Sequence, residues 1–99
     1  MDITKKQNAG KTTLELSGRL DTKNAPHLQE VLIPEFDSEN EIELDFAGLT
    51  YVSSAGLRVL LSGEKTAKEK GRGLILVNVS SEIIKILEMT GLRDFFHIE

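Results

Sequence analysis

Apolar and polar residues alternate early in the chain. Thr12, Leu14 and Leu16 fall on one side and Thr13, Glu15 and Ser17 on the other, the period of a half-buried strand. Two strands over roughly residues 2–18 are expected around an Asn8-Ala9-Gly10-Lys11 turn, with Gly18 ending the second. Asn24-Ala25-Pro26 predicts a helix start, because asparagine caps and the missing proline N–H has no partner in a first turn. Leu28, Val31 and Leu32 give it an apolar stripe, and Pro34 is expected to close it.

Glu41 to Phe46 alternates again, with Ile42, Leu44 and Phe46 inward. A short glycine-containing loop is expected to follow, and then a helix on which Leu57, Leu60, Leu61 and Ala67 recur at helical spacing. Lys65, Lys68, Glu69 and Lys70 suit its wet side, and Gly71 and Gly73 its end. Leu74-Ile75-Leu76-Val77 is uniformly apolar and reads as an interior strand covered on both faces. Ser80 or Ser81 caps a third helix carrying Ile83, Ile84 and Leu87, with Gly91 as its stop. Phe95, Phe96 and Ile98 are left for an edge strand or a docked tail. The predicted order is β-β-α-β-α-β-α-β, an α/β fold with a mixed central sheet and helices packed on it, in one domain over residues 1–99.

Charge and composition narrow the function. Sixteen acidic against twelve basic residues give a net charge of -4, the wrong sign for a phosphate backbone, so no direct nucleic-acid partner is expected. No cysteine is present, which excludes a disulfide scaffold, a thiolate metal site and a cysteine nucleophile. Apolar runs reach only about five residues, against the roughly 20 of a membrane span. Met1 to Lys6 lacks the apolar stretch of a signal peptide, so a cytoplasmic chain with no membrane partner is expected.

Chemistry is concentrated between Asp45 and Arg58. Ser53 and Ser54 sit at a predicted helix start, where unpaired N–H groups and the macrodipole favour negative charge. Such a serine either caps the helix or carries an anion such as phosphate, and the residues alone leave both readings open. Ala55 and Gly56 are small enough for another protein to approach the backbone. Arg58, one turn on, either contacts an acidic partner or the Ser54 phosphate, or lies solvated near Asp45 or Asp21. His27 and His97 have no metal-ligand spacing, and no metal or cofactor is expected. Gly71-Arg72-Gly73 lacks the lysine of a P-loop and reads as a turn. Lys65, Lys68, Lys70 and Arg72 form a modest basic face, read as solvated. Ser54 is outside any Gly-x-Ser-x-Gly frame, so an enzyme with a serine nucleophile is not expected.

Gly18-Arg19-Leu20-Asp21, followed by Val52-Ser53-Ser54-Ala55-Gly56-Leu57-Arg58, resembles a STAS domain. More narrowly the chain is similar to the stand-alone anti-sigma factor antagonists. The resemblance implies a STAS-like fold and a binding protein that engages an anti-sigma factor, itself a serine kinase, when unphosphorylated. It implies that phosphorylation of Ser54 ends that complex and that a PP2C-type phosphatase restores it. Ser53 stands where an aspartate is frequent in the family, which leaves Ser53 as an alternative acceptor. Ala55 replaces a hydroxyl residue of some members. Asp21 matches a position beside the acceptor, and its other reading is a turn or cap role. Asp21, Ser53, Ala55, Gly56 and Arg58 are thus the implied partner-binding residues around Ser54, in a chain expected to be monomeric when free. The alternative is a STAS subunit that docks constitutively in a transport or signalling assembly.

Overall fold

The computed structural model describes residues 1–99. Strands β1 (Asp2–Asn8) and β2 (Lys11–Leu20) form an antiparallel hairpin. Its two-residue loop places Ala9 and Gly10 at φ of 41° and 86°, and a type I′ turn needs positive φ at both. Helix α1 (Ala25–Glu35), strand β3 (Glu41–Val52), helix α2 (Ser54–Lys70), strand β4 (Leu74–Val77) and helix α3 (Ser81–Met89) follow. A 3-10 turn at Arg93–Phe95 leads into the two-residue strand β5 (His97–Ile98). The tail is therefore both docked and an edge strand, with Phe96 buried and Phe95 exposed.

Strand order in the sheet equals sequence order, and every pair after the hairpin is parallel. Right-handed crossovers that always step in one direction place all their helices on the same face of a sheet. One core results. Leu14, Leu44 and Leu76 lie side by side on β2, β3 and β4. Leu28 and Leu32 of α1, Leu57 and Leu60 of α2, and Ile83 and Leu87 of α3 join them. Thr12 is fully buried among these and its hydroxyl accepts from Asn40 Nδ2 at 3.1 Å.

The opposite face is largely polar and has no helix layer, which corrects the expectation that helices cover β4 on both sides, although its residues Leu74 to Leu76 are all buried. Glu15, Glu43 and Asp45 stand on it and are answered locally by Lys6, Lys11 and the Asn78 amide. Ile75 is buried but lies outside the core cluster. An apolar run marked β4 as interior to the sheet; it did not say how many layers the fold has.

Three boundaries and one core position also move. Strand β2 does not end at Gly18, which sits at φ 94° in a register shift, and runs on to Leu20. Strand β3 continues through Ala47 to Val52 with no loop. Pro34 lies within the last turn of α1 instead of closing it, and Phe36 is the C-cap. On α3 it is Ile86, with Ile83 and Leu87, that packs against the core, and Ile84 is half-buried outside it. No helix is long and apolar enough to cross a membrane.

Candidate functional site

Strands β2 and β3 end together, with Leu20 opposite Val52 and both side chains in the core. One hydrogen bond ties the two strand exits: Ser53 N–H donates to Leu20 C=O at 2.8 Å. Asp21 and Ser53 therefore leave the sheet side by side. Asp21 opens the connection to α1, and Ser53 opens α2.

Ser53 is the N-cap of α2. Its backbone is extended and its hydroxyl accepts from Gly56 N–H at 3.2 Å. Ser54 is the first helical residue and is exposed. The two adjacent serines, of which the resemblance implied Ser54 as acceptor and Ser53 as the alternative, are thus separated by one residue of helix geometry. Ser53 caps, in the manner an aspartate would. The hydroxyl of Ser54 is outside the cap.

Asp21 has a definite structural task. Its carboxylate accepts from the N–H groups of Lys23 and Asn24, both at 3.1 Å, while Asn24 Oδ1 accepts from Asp21 N–H at 2.9 Å. This reciprocal pair is a capping box in form, although the second partner is an asparagine. Asn24 makes no side-chain cap bond of its own, which corrects the expected single cap. The Asp-x-x-Asn spacing was the available signal.

Gly56 is buried, contrary to the expectation that it leaves room for a partner. A Cβ there would lie 2.7 Å from Leu20 Cγ and 3.0 Å from Leu20 O. Its small size lets α2 descend onto the end of β2, so it contributes by placing Ser54. Ala55 is half-buried and, with Thr22, Ala25, Pro26, Gln29, Arg58 and Val59, lines an open groove of about 210 Å³ between α1 and α2. Arg58 is exposed at its edge. Neither aspartate considered for it is its partner: Asp45 is held by Asn78 and Ala47 N–H, and Asp21 by the turn.

Sequence reasoning missed Arg19 and Tyr51. They face each other across β2 and β3, with the guanidinium 4.2 Å from the ring centroid. The register shift between Gly18 and Arg19 makes this pairing, since unshifted strands would set Arg19 opposite Thr50. Thr50 instead donates through its hydroxyl to Gly18 C=O at 3.0 Å. His27 is exposed on α1 and His97 pairs with Glu99, so neither joins the serines. Farther along α2, burial pushes the Glu64 carboxyl above its ordinary range, partly offset by Lys68 and His97.

A STAS domain family model matches residues 2–99. The anti-sigma-B factor antagonist of Bacillus subtilis is 30% identical over 98 residues, covering 99% of this chain and 90% of that one. The anti-sigma-B factor antagonist of Staphylococcus aureus (strain NCTC 8325 / PS 47) is 30% identical over 86 residues, covering 86% of this chain and 80% of that one. A putative anti-sigma factor antagonist from Thermotoga maritima superimposes with a TM-score of 0.88 at 21% identity, over 97% of this chain and 84% of that one. Unphosphorylated SpoIIAA, an anti-sigma factor antagonist, gives 0.81 at 17% identity, over 99% and 88%. At those identities the structural likeness concerns the fold.

Proposed function

The chain belongs to the STAS family, and from that premise we propose that it is an anti-sigma factor antagonist switched at Ser54. The relatives of that name match nearly the whole chain, which supports the antagonist role. One observation supports the switch: Ser54 is exposed at the first position of α2 while Ser53 holds the cap.

In this reading the unphosphorylated protein docks on an anti-sigma factor through the end of β2 and the α1–α2 groove. Ala55 and Arg58 meet the partner directly, and Asp21 fixes the connection beside them. The partner is also a serine kinase. The Ser54 hydroxyl oxygen attacks the γ-phosphorus of the kinase's ATP, a new O–P bond forms, ADP leaves, and the hydroxyl proton is released. The product carries about −1.5 to −2 charges at the centre of the contact, where desolvation and any facing carboxylates oppose it. A PP2C-type phosphatase returns the hydroxyl by hydrolysis. The protein itself catalyses nothing in this cycle; it regulates sigma-factor-dependent transcription by changing partners.

Mixing the protein with its anti-sigma factor kinase and ATP, then mapping phosphate by mass spectrometry, tests this. Phosphate on Ser54 with loss of the complex is the expected result. Ser54→Ala should stay bound in ATP, and Ser54→Asp should bind at least about tenfold more weakly. Phosphate on Ser53 would move the site by one residue. A tight complex indifferent to ATP would replace the switch with a constitutive docking subunit.

A further inference from the structure

We infer that a phosphate on Ser54 is held within the molecule by the guanidinium of Arg58, which draws that cation away from the α1–α2 groove. The inference rests on Ser54 being the acceptor. Ser54 and Arg58 stand four residues apart on α2, so their side chains occupy successive turns of one face. Both are exposed. Long helical side chains lean back toward the N-terminus and cover the preceding turn, which for Arg58 is the turn of Ser54.

Arg58 is also uncommitted. Arg19 stacks on Tyr51, Arg93 pairs with Glu88, and Arg72 is half-buried. Arg58 is the exposed arginine with neither a carboxylate nor a ring, and it borders the groove together with Ala55 and Val59. A planar guanidinium matches two phosphate oxygens at once, which a lysine ammonium does not. Asp21 follows Leu20, whose carbonyl accepts from Ser53 N–H, and so lies on the connection that leaves the sheet beside the site. The Asp21 carboxylate is occupied by backbone N–H groups.

The pair gives the switch two effects from one modification. The phosphate adds negative charge to the docking surface, and it takes from that surface a cation available to an acidic partner. Arg58 serves the partner in one state and the phosphate in the other.

The test needs no partner. Phosphoserine is placed at position 54 by genetic incorporation, and its second ionisation is followed by phosphorus NMR in the wild type and in Arg58→Ala, Arg58→Lys and Lys65→Ala. A nearby cation favours the doubly ionised phosphate, so Arg58→Ala should raise the midpoint by about half a pH unit. Arg58→Lys should fall between the two, and Lys65→Ala, two turns farther along the exposed side, should match the wild type. An Arg58→Ala titration that overlays the wild type would overturn the inference. A kinase that ignores Ser54 would instead sink the functional reading and leave this titration unaffected, so the two failures are distinguishable.

Discussion

At the scale of single residues, the start of α2 divides its tasks between neighbours. Ser53→Ala removes the acceptor of Gly56 N–H and should cost about 1 kcal/mol. In a domain of this size that lowers Tm by about 4–8 °C, readable by circular dichroism. Ser54→Ala should leave Tm within about 2 °C, because its hydroxyl lies outside the cap. Equal losses from the two variants would contradict this division. Gly56→Ala pushes a methyl group against Leu20 and its carbonyl, and overpacking of that kind costs about 1–3 kcal/mol. The loss should appear in Tm and also in partner affinity, since α2 must lift. The Ser-Ser pair was legible as a helix start, but which of its members caps the helix depended on where the strand stopped.

Element by element, legibility followed the hydrophobic period. Strand β2, helix α2 and helix α3 kept one period and were readable to within a residue or two. Strand β3 changed period partway. Ile42, Leu44 and Phe46 alternate, but Phe46, Leu49 and Val52 come at intervals of three, because register shifts against β2 absorb the extra residues. A spacing of three looks like a loop to a reading built on twos, so Arg19 and Tyr51 went unnoticed with it. The right-handed crossovers left one face without helices, which no local pattern encodes. Helix α2 also carries a pH-dependent element in Glu64. Its folded carboxyl holds a proton to higher pH than the ordinary 4.5, so the folded chain binds more protons in that window and stability falls as pH rises through it. Glu64→Gln escapes that loss. Its Tm advantage over the wild type should widen from about pH 4 to pH 7, and a constant or shrinking gap would count against the burial argument.

Across the whole molecule, cohesion is greatest where β2 and β3 pair over most of their length, and least at the sheet's edges. Strand β1 is paired on one side only, and β5 has two residues. Amide hydrogen exchange should therefore release β5 and the outward amides of β1 before β3, with the Leu14–Leu44–Leu76 layer last. Uniform protection across the sheet would show that the edges are held more firmly than their pairing indicates. The whole fold also sets how the two forms of Ser54 would differ. Ser54 stands outside the cap and outside the core, so a phosphate there has nothing to dislodge. It would move the net charge from -4 to about -6 while leaving the backbone as it is. Gel filtration and small-angle scattering would then record one species, whereas isoelectric focusing would resolve two bands. The message would be written in the molecule's titration curve, with its outline unchanged.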